Sequence, residues 1–186
     1  NSLLSFFNSK GFLVKKRSVV LGLISENFFT IAIAGTHGKT TITIMLSHIL
    51  INAGYNPNAF FGGISKNYET NFLVGNSEYM IIEADEYDQS FLKLNPTISL
   101  ITSMDKDHID TYSCENDMIE AYYQFYVNTS NQMDSKNMFF MPYSVSKTFY
   151  NHLKYRNKFG YKGETVSDLI VNEINYKQIE CQALLR

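Results

Sequence analysis

A chain of 186 residues, 45% of them hydrophobic, suits one ordinary globular domain with a sizeable core and leaves little room for two. A formal net charge of -2 offers no basic excess to neutralise a nucleic-acid backbone, so small-molecule partners are expected and nucleic acid is not. Two cysteines, Cys114 and Cys181, stand far apart in no metal or redox spacing, which fits ordinary thiols in a reducing, cytoplasmic compartment.

The opening stretch NSLLSFFNSKGFLVKKRS places its charges after its apolar part, the wrong order for a secretory signal. No apolar run reaches the roughly 18 residues of a membrane-spanning helix. The first residue is Asn, and the last stretch, YKQIECQALLR, stops in mid-pattern, so the chain reads as a fragment. VKKRSVVLGLIS, residues 14–25, predicts a helix leading into the domain.

Thr30 to Ala34 is a short β-branched run ending at glycine, and TTITIMLSHILINAG follows with helical spacing and Gly54 as its closing residue. Strands are then expected at Asn58 to Phe61 before Gly62-Gly63, at Tyr79 to Ile82, and at Thr97 to Thr102. Glu115 to Asn128 predicts a tyrosine-rich amphipathic helix, and Asn137 to Met141 another buried strand; weaker alternation from about Lys158 onward suggests edge strands. Apolar strands alternating with helices predict an α/β fold with a mainly parallel sheet flanked by helices. Ligands of such sheets sit beyond the carboxyl ends of the strands, and three of these ends carry chemistry.

The first is Gly35-Thr36-His37-Gly38-Lys39-Thr40-Thr41, between a strand and a helix, the setting a phosphate-binding loop requires. Lys39 would reach the outer phosphates of ATP, and the Thr40 hydroxyl would sit on Mg2+. Only Thr36 and His37 separate Gly35 from Gly38-Lys39, so this is a shortened form of the loop. His37 is open between a phosphate or substrate contact and a tolerated polar residue. The second end, Glu83-Ala84-Asp85-Glu86-Tyr87-Asp88, places four carboxylates in six residues. Their repulsion calls for a hard cation, with Glu83 best placed for the metal and Asp85 and Glu86 behind it or facing substrate; alone, the run could equally be a solvated acidic turn. The third, SMDKDHID, gathers Asp105, Asp107, His108 and Asp110, a setting in which His108 is a candidate ligand or catalytic group. His48 and His152 have no such company.

GTHGKTT, EADEYD and SMDKDHIDTY, in this order and separation, resemble the ATP-binding central domain of the Mur ligases, and the likeness extends through VKKRSVVLGLI and AFFGGISKNY. It covers about Val14 to Val127. The resemblance implies an ATP-dependent amide ligase of peptidoglycan synthesis working through an acyl phosphate. It is nearest to the members that join L-alanine to UDP-N-acetylmuramate; EADEYD is also similar to the relatives that attach recycled murein peptide. On matching positions it implies that Lys39 stabilises the transferring phosphoryl group, that Thr40 and Glu83 hold a first magnesium ion, and that His108 helps hold a second. It implies a boundary near residue 30, with 1–29 leading from a separate N-terminal domain and 30–186 forming the ATP-binding region. The family's uridine-nucleotide domain and closing C-terminal domain are not recognisable in this chain, so the fragment alone is expected to be inactive as a ligase. Ser113 and Cys114 stand where related sequences often carry glycine.

Two other classes compete. A plain nucleotide switch or ATPase would use the same loop, but a guanine-nucleotide switch usually carries Asn-Lys-x-Asp, a run absent here. An aromatic interaction module is compatible with the 15% aromatic content, although stripes such as AYYQFY are more often core. Folylpolyglutamate synthetases of the same superfamily are told apart by substrate.

Overall fold

The computed structural model describes residues 2–105, 112–130 and 138–158. The chain divides into two compact units, Asn1–Met141 and Pro142–Arg186.

In the first unit, helices α1 (Ser2–Ser9) and α2 (Arg17–Ser25) precede strand β1 (Phe29–Ala34). Helix α3 (Lys39–Asn52) and strands β2 (Asn58–Phe60), β3 (Phe72–Leu73) and β4 (Tyr79–Glu83) follow. A 3-10 segment (Tyr87–Lys93), strand β5 (Ile98–Ile101), helix α4 (Glu115–Ser130) and strand β6 (Met138–Phe140) complete it. The described strands form one sheet in the order β3-β2-β4-β1-β5-β6, parallel throughout except for the antiparallel β2–β3 pair at one edge. The expected mainly parallel α/β sheet is what forms. In the second unit, helix α5 (Tyr143–Lys158) opens with the Val145 and Ser146 N–H groups donating to the Pro142 carbonyl, proline serving at a helix start where its missing N–H costs nothing.

Alternation along β1 sorts its side chains to two faces. Ile31 and Ile33 join Ala59, Phe61 and Ile81 under Ile42, Leu46 and Leu50 of α3, giving one half of the core. On the other face, Thr30 donates to the Ser25 carbonyl at the end of α2 (2.9 Å), and Ser99 of β5 meets Thr129 of α4 at 2.6 Å. Phe91 of the 3-10 segment, 1% exposed, packs its ring on Tyr122 and Phe125 of α4 at 5.3 and 5.1 Å between centroids. Each such fully buried aromatic contributes on the order of 2–3 kcal/mol.

The strands expected at 30–34, 58–61, 79–82, 97–102 and 137–141 all form within two residues of those bounds, as do the helices at 40–54 and 115–128, and the helix expected at 14–25 starts three residues later, at Arg17. Helices α1 and α5, strand β3 and the 3-10 segment were not expected from the sequence. β3 is two residues long and held by its pairing with β2, and the 3-10 segment by tertiary burial of Phe91, so neither leaves a local pattern. The edge strands expected beyond Lys158 lie outside the described residues.

Candidate nucleotide site

Strand β1 is central, flanked by β4 and β5, so the three polar segments that follow these strands emerge side by side at one end of the sheet. Residues 47 and 67 positions apart in sequence thereby meet.

The loop after β1 turns on two glycines in the left-handed region, Gly35 (φ 126°) and Gly38 (φ 78°). A Cβ on Gly35 would lie 2.1 Å from Thr102 Oγ1 and 2.9 Å from the Ser103 backbone, so both its conformation and its close approach to the β5 end exclude a side chain. Gly38 is the residue before α3, leaving the first backbone N–H groups of a helix of 14 residues at the mouth of the loop. The segment after β5 braces the loop. Thr36 N–H donates to the Ser103 carbonyl (3.1 Å), and His37 N–H donates to Ser103 Oγ (3.1 Å). Thr102 Oγ1 donates to the His37 carbonyl (2.6 Å). Thr36 Oγ1 lies 2.8 Å from Ser103 Oγ, donates to Asp105 Oδ2 (3.3 Å) and accepts the Asp105 N–H (3.1 Å).

The acidic segment after β4 meets the same loop. Thr40 Oγ1 donates to Glu83 Oε1 (2.7 Å), whose other oxygen accepts the Gly62 N–H. Lys39 Nζ donates to the Gly35 carbonyl (2.6 Å) and to Glu86 Oε1 (2.8 Å). This ion pair is buried, with side-chain exposures of 13% for Lys39 and 8% for Glu86. Removing one member of a pair so shielded typically costs about 3–5 kcal/mol, because the other charge is stranded. Asp85 and Asp88 are exposed, the latter pairing with Lys16 at 2.9 Å. That hydrogen bond and the nearby charge raise the Lys16 ammonium pKa.

Glu86 is placed by an unusual turn. Asp88 and Gln89 both adopt left-handed backbone (φ 53° and 52°), which costs a non-glycine residue roughly 1–2 kcal/mol. The turn is held by Tyr87 N–H on Asp85 Oδ1 (3.0 Å), by Phe91 N–H on the Asp85 carbonyl (2.9 Å), and by the burial of Phe91. Two phenols lie close by. Burial, then the charges of Glu86 and Asp85, pushes Tyr112 up to about 12, and burial with the Glu86 charge pushes Tyr122 higher still. Glu86 Oε2 and the Tyr122 hydroxyl are both buried with no hydrogen-bond partner among the described residues.

Lys39, Glu83 and Glu86 line a cleft of about 610 Å³ together with Phe61, Gly62 and, from the start of α2, Arg17. Its size is that of a small-molecule site. A hydroxyl and a carboxylate in contact, Thr40 and Glu83, are the hard oxygen donors that Mg2+ takes beside a nucleotide. Among the described residues no three acidic, histidine or cysteine side chains form a complete cage.

Of the residues singled out from sequence, Gly35, Thr36, His37, Gly38, Lys39, Thr40 and Glu83 are brought together here. Thr41 is exposed in the first turn of α3. His37, with its side chain 59% exposed, has its Nε2 3.7 Å from Asp105 Oδ2. His108, with Asp107 and Asp110, lies outside the described residues. His48, given no chemistry, bonds the Tyr68 hydroxyl (2.9 Å) away from the cleft. Gly62 and Ser103 also belong to the site, although neither was singled out from sequence. Gly62 approaches Glu83 so closely that a Cβ would collide with the carboxylate, and the glycine pair after β2 was the available signal.

A family model described as the Mur ligase middle domain matches residues 33–183. The chain belongs to the Mur ligase family. A UDP-N-acetylmuramate–L-alanine ligase of Cytophaga hutchinsonii is 45% identical over 126 residues, 66% of this chain and 27% of the relative. Another from Phocaeicola vulgatus is 47% identical over 122 residues, 65% of this chain and 27% of the relative. This Mur ligase chain thus spans 27% of the length of these curated relatives. Among solved structures, the UDP-N-acetylmuramate:L-alanyl-gamma-D-glutamyl-meso-diaminopimelate ligase of Neisseria meningitides superposes with a TM-score of 0.68 at 20% identity. It covers 82% of this chain and 51% of that one, a likeness of Mur ligase fold.

Proposed function

We propose that this chain is the ATP-binding part of a ligase that joins L-alanine to UDP-N-acetylmuramate in peptidoglycan synthesis. The observation that carries the nucleotide site is the convergence of three strand ends, with Thr40 on Glu83, Lys39 on Glu86 and Thr36 on Ser103 and Asp105. The alanine-adding reaction is supported by the 45–47% identity to ligases of that name.

In this reading residues 30–186 form the ATP-binding region and residues 1–29 lead into it. The N-terminal end of α3 and the loop N–H groups bind the phosphates of ATP, and Lys39 places its positive charge at the outer ones. The substrate carboxylate attacks the γ-phosphorus, ADP leaves, and the acyl phosphate is then opened by the alanine amine with loss of phosphate. Lys39 neutralises charge on the transferring group, which is most of what phosphoryl transfer asks of a protein. Thr40 and Glu83 would hold Mg2+, which supplies charge neutralisation between the outer phosphates; His108 is proposed for a second ion. The uridine nucleotide and the amino acid are proposed to bind mainly through parts that the family carries outside this region.

Calorimetric titration with ATP, with and without Mg2+, tests the site. Magnesium-dependent binding that Lys39→Ala and Glu83→Ala each weaken at least tenfold is expected; binding indifferent to both substitutions would refute the assignment. Alanine-dependent phosphate release by the full-length ligase tests the reaction.

A further inference from the structure

The Lys39–Glu86 pair bears on how the reactive lysine is used. An ammonium has three N–H bonds, and in this structure two are committed, to the Gly35 carbonyl at 2.6 Å and to Glu86 Oε1 at 2.8 Å. Lys39 nevertheless lines the cleft. Were it to swing wholly onto a phosphate, Glu86, 6% exposed, would keep a buried charge with neither oxygen partnered among the described residues, since Oε2 has no partner there already. Keeping the pair leaves that charge partnered, and the third N–H remains for the nucleotide. The left-handed residues Asp88 and Gln89 and the burial of Phe91 fix the turn that aims Glu86, so the carboxylate cannot readily follow a moving lysine.

We propose that Glu86 is a positioning residue for phosphoryl transfer: it stays paired with Lys39 in the loaded site and fixes the ammonium where charge develops on the transferring group. This rests on the ligase reading given above. Glu86 lines the cleft, and its proposed role is exerted through Lys39. Its effect falls on the transition state, where misplacement of a charge is felt most, and only weakly on ATP affinity, because its own negative charge repels the phosphates while its geometry serves them.

The test is steady-state kinetics of the full-length ligase, with melting temperatures recorded alongside, for wild type, Glu86→Ala and Glu86→Gln. Glutamine keeps an acceptor for Lys39 but loses the ionic half of the bond. The expected result is a kcat at least fiftyfold lower in Glu86→Ala and about fivefold lower in Glu86→Gln, with KM for ATP within threefold of wild type in both. Should the alanine variant not fold, the glutamine variant decides alone, on the same criteria. A wild-type kcat in Glu86→Gln, a rise in KM at constant kcat, or equal losses in both variants that follow a lowered melting temperature would each overturn the proposal. A wild-type protein without alanine-dependent turnover would instead overturn the ligase reading, and the inference with it.

Discussion

The residues that matter most here are small in number and placed against their own preferences. Among the described residues, Glu86 has one oxygen on Lys39 and one unpartnered, and Tyr122 is a fully buried phenol whose hydroxyl has no partner. An unmade buried hydrogen bond carries the desolvation cost with no return. Tyr122→Phe is therefore expected to stabilise the chain by about 1 kcal/mol, read as a higher denaturant midpoint at unchanged slope. Tyr112 gives a pH dependence of known sign. Its pKa rises from the ordinary 10.0 to about 12 on folding, so between those values the unfolded chain has lost a proton that the folded chain retains. Stability is untouched by this group below pH 10 and falls as pH climbs toward 12. Urea titrations at pH 9, 10 and 11 should show that decline in wild type and a shallower one in Tyr112→Phe.

At the scale of elements, the site is a meeting of three strand ends, each contributing a different kind of group. The loop after β1 supplies backbone donors and Lys39, the end of β4 supplies carboxylates, and the end of β5 supplies hydroxyls that brace the loop. Bracing is the part that local pattern could not reveal, because Thr102 and Ser103 look like any polar residues closing a strand. Ser103 Oγ accepts the His37 N–H and lies 2.8 Å from Thr36 Oγ1, so Ser103→Ala removes two supports of the loop without touching the cleft's charges. A loss of about 1 kcal/mol, near fivefold in ATP affinity, is expected by calorimetry, with the secondary structure intact by circular dichroism. The same element view explains why EADEYD was only half legible. Four carboxylates after a buried strand signal a cation or a solvated acidic turn, and that one of them faces Lys39 depends on the turn at Asp88 and Gln89.

For the whole molecule, nucleotide binding should be visible as stability. A ligand at one hundred times its dissociation constant stabilises the folded state by about 2.7 kcal/mol, so Mg-ATP should raise the melting temperature of wild type by several degrees and leave Lys39→Ala nearly unmoved. The fold that makes this possible was largely written in the chain. Apolar runs at 30–34, 79–82 and 97–102 and the helical spacing from Thr40 to Asn52 define a parallel α/β sheet, because a period of two or of 3.6 residues is a local property that any window exposes. The loop proposed to bind phosphate was legible for the same reason, as two glycines, a lysine and a threonine between a strand and a helix. Strand order was not local. Only the tertiary structure puts β1 between β4 and β5, and so turns three separate motifs into one site. The antiparallel β3, the strained turn and the Lys39–Glu86 pair likewise arise from burial among residues distant in sequence, where the energy that pays for them resides. Sequence determined which groups are present and on which elements; packing decided which of them touch.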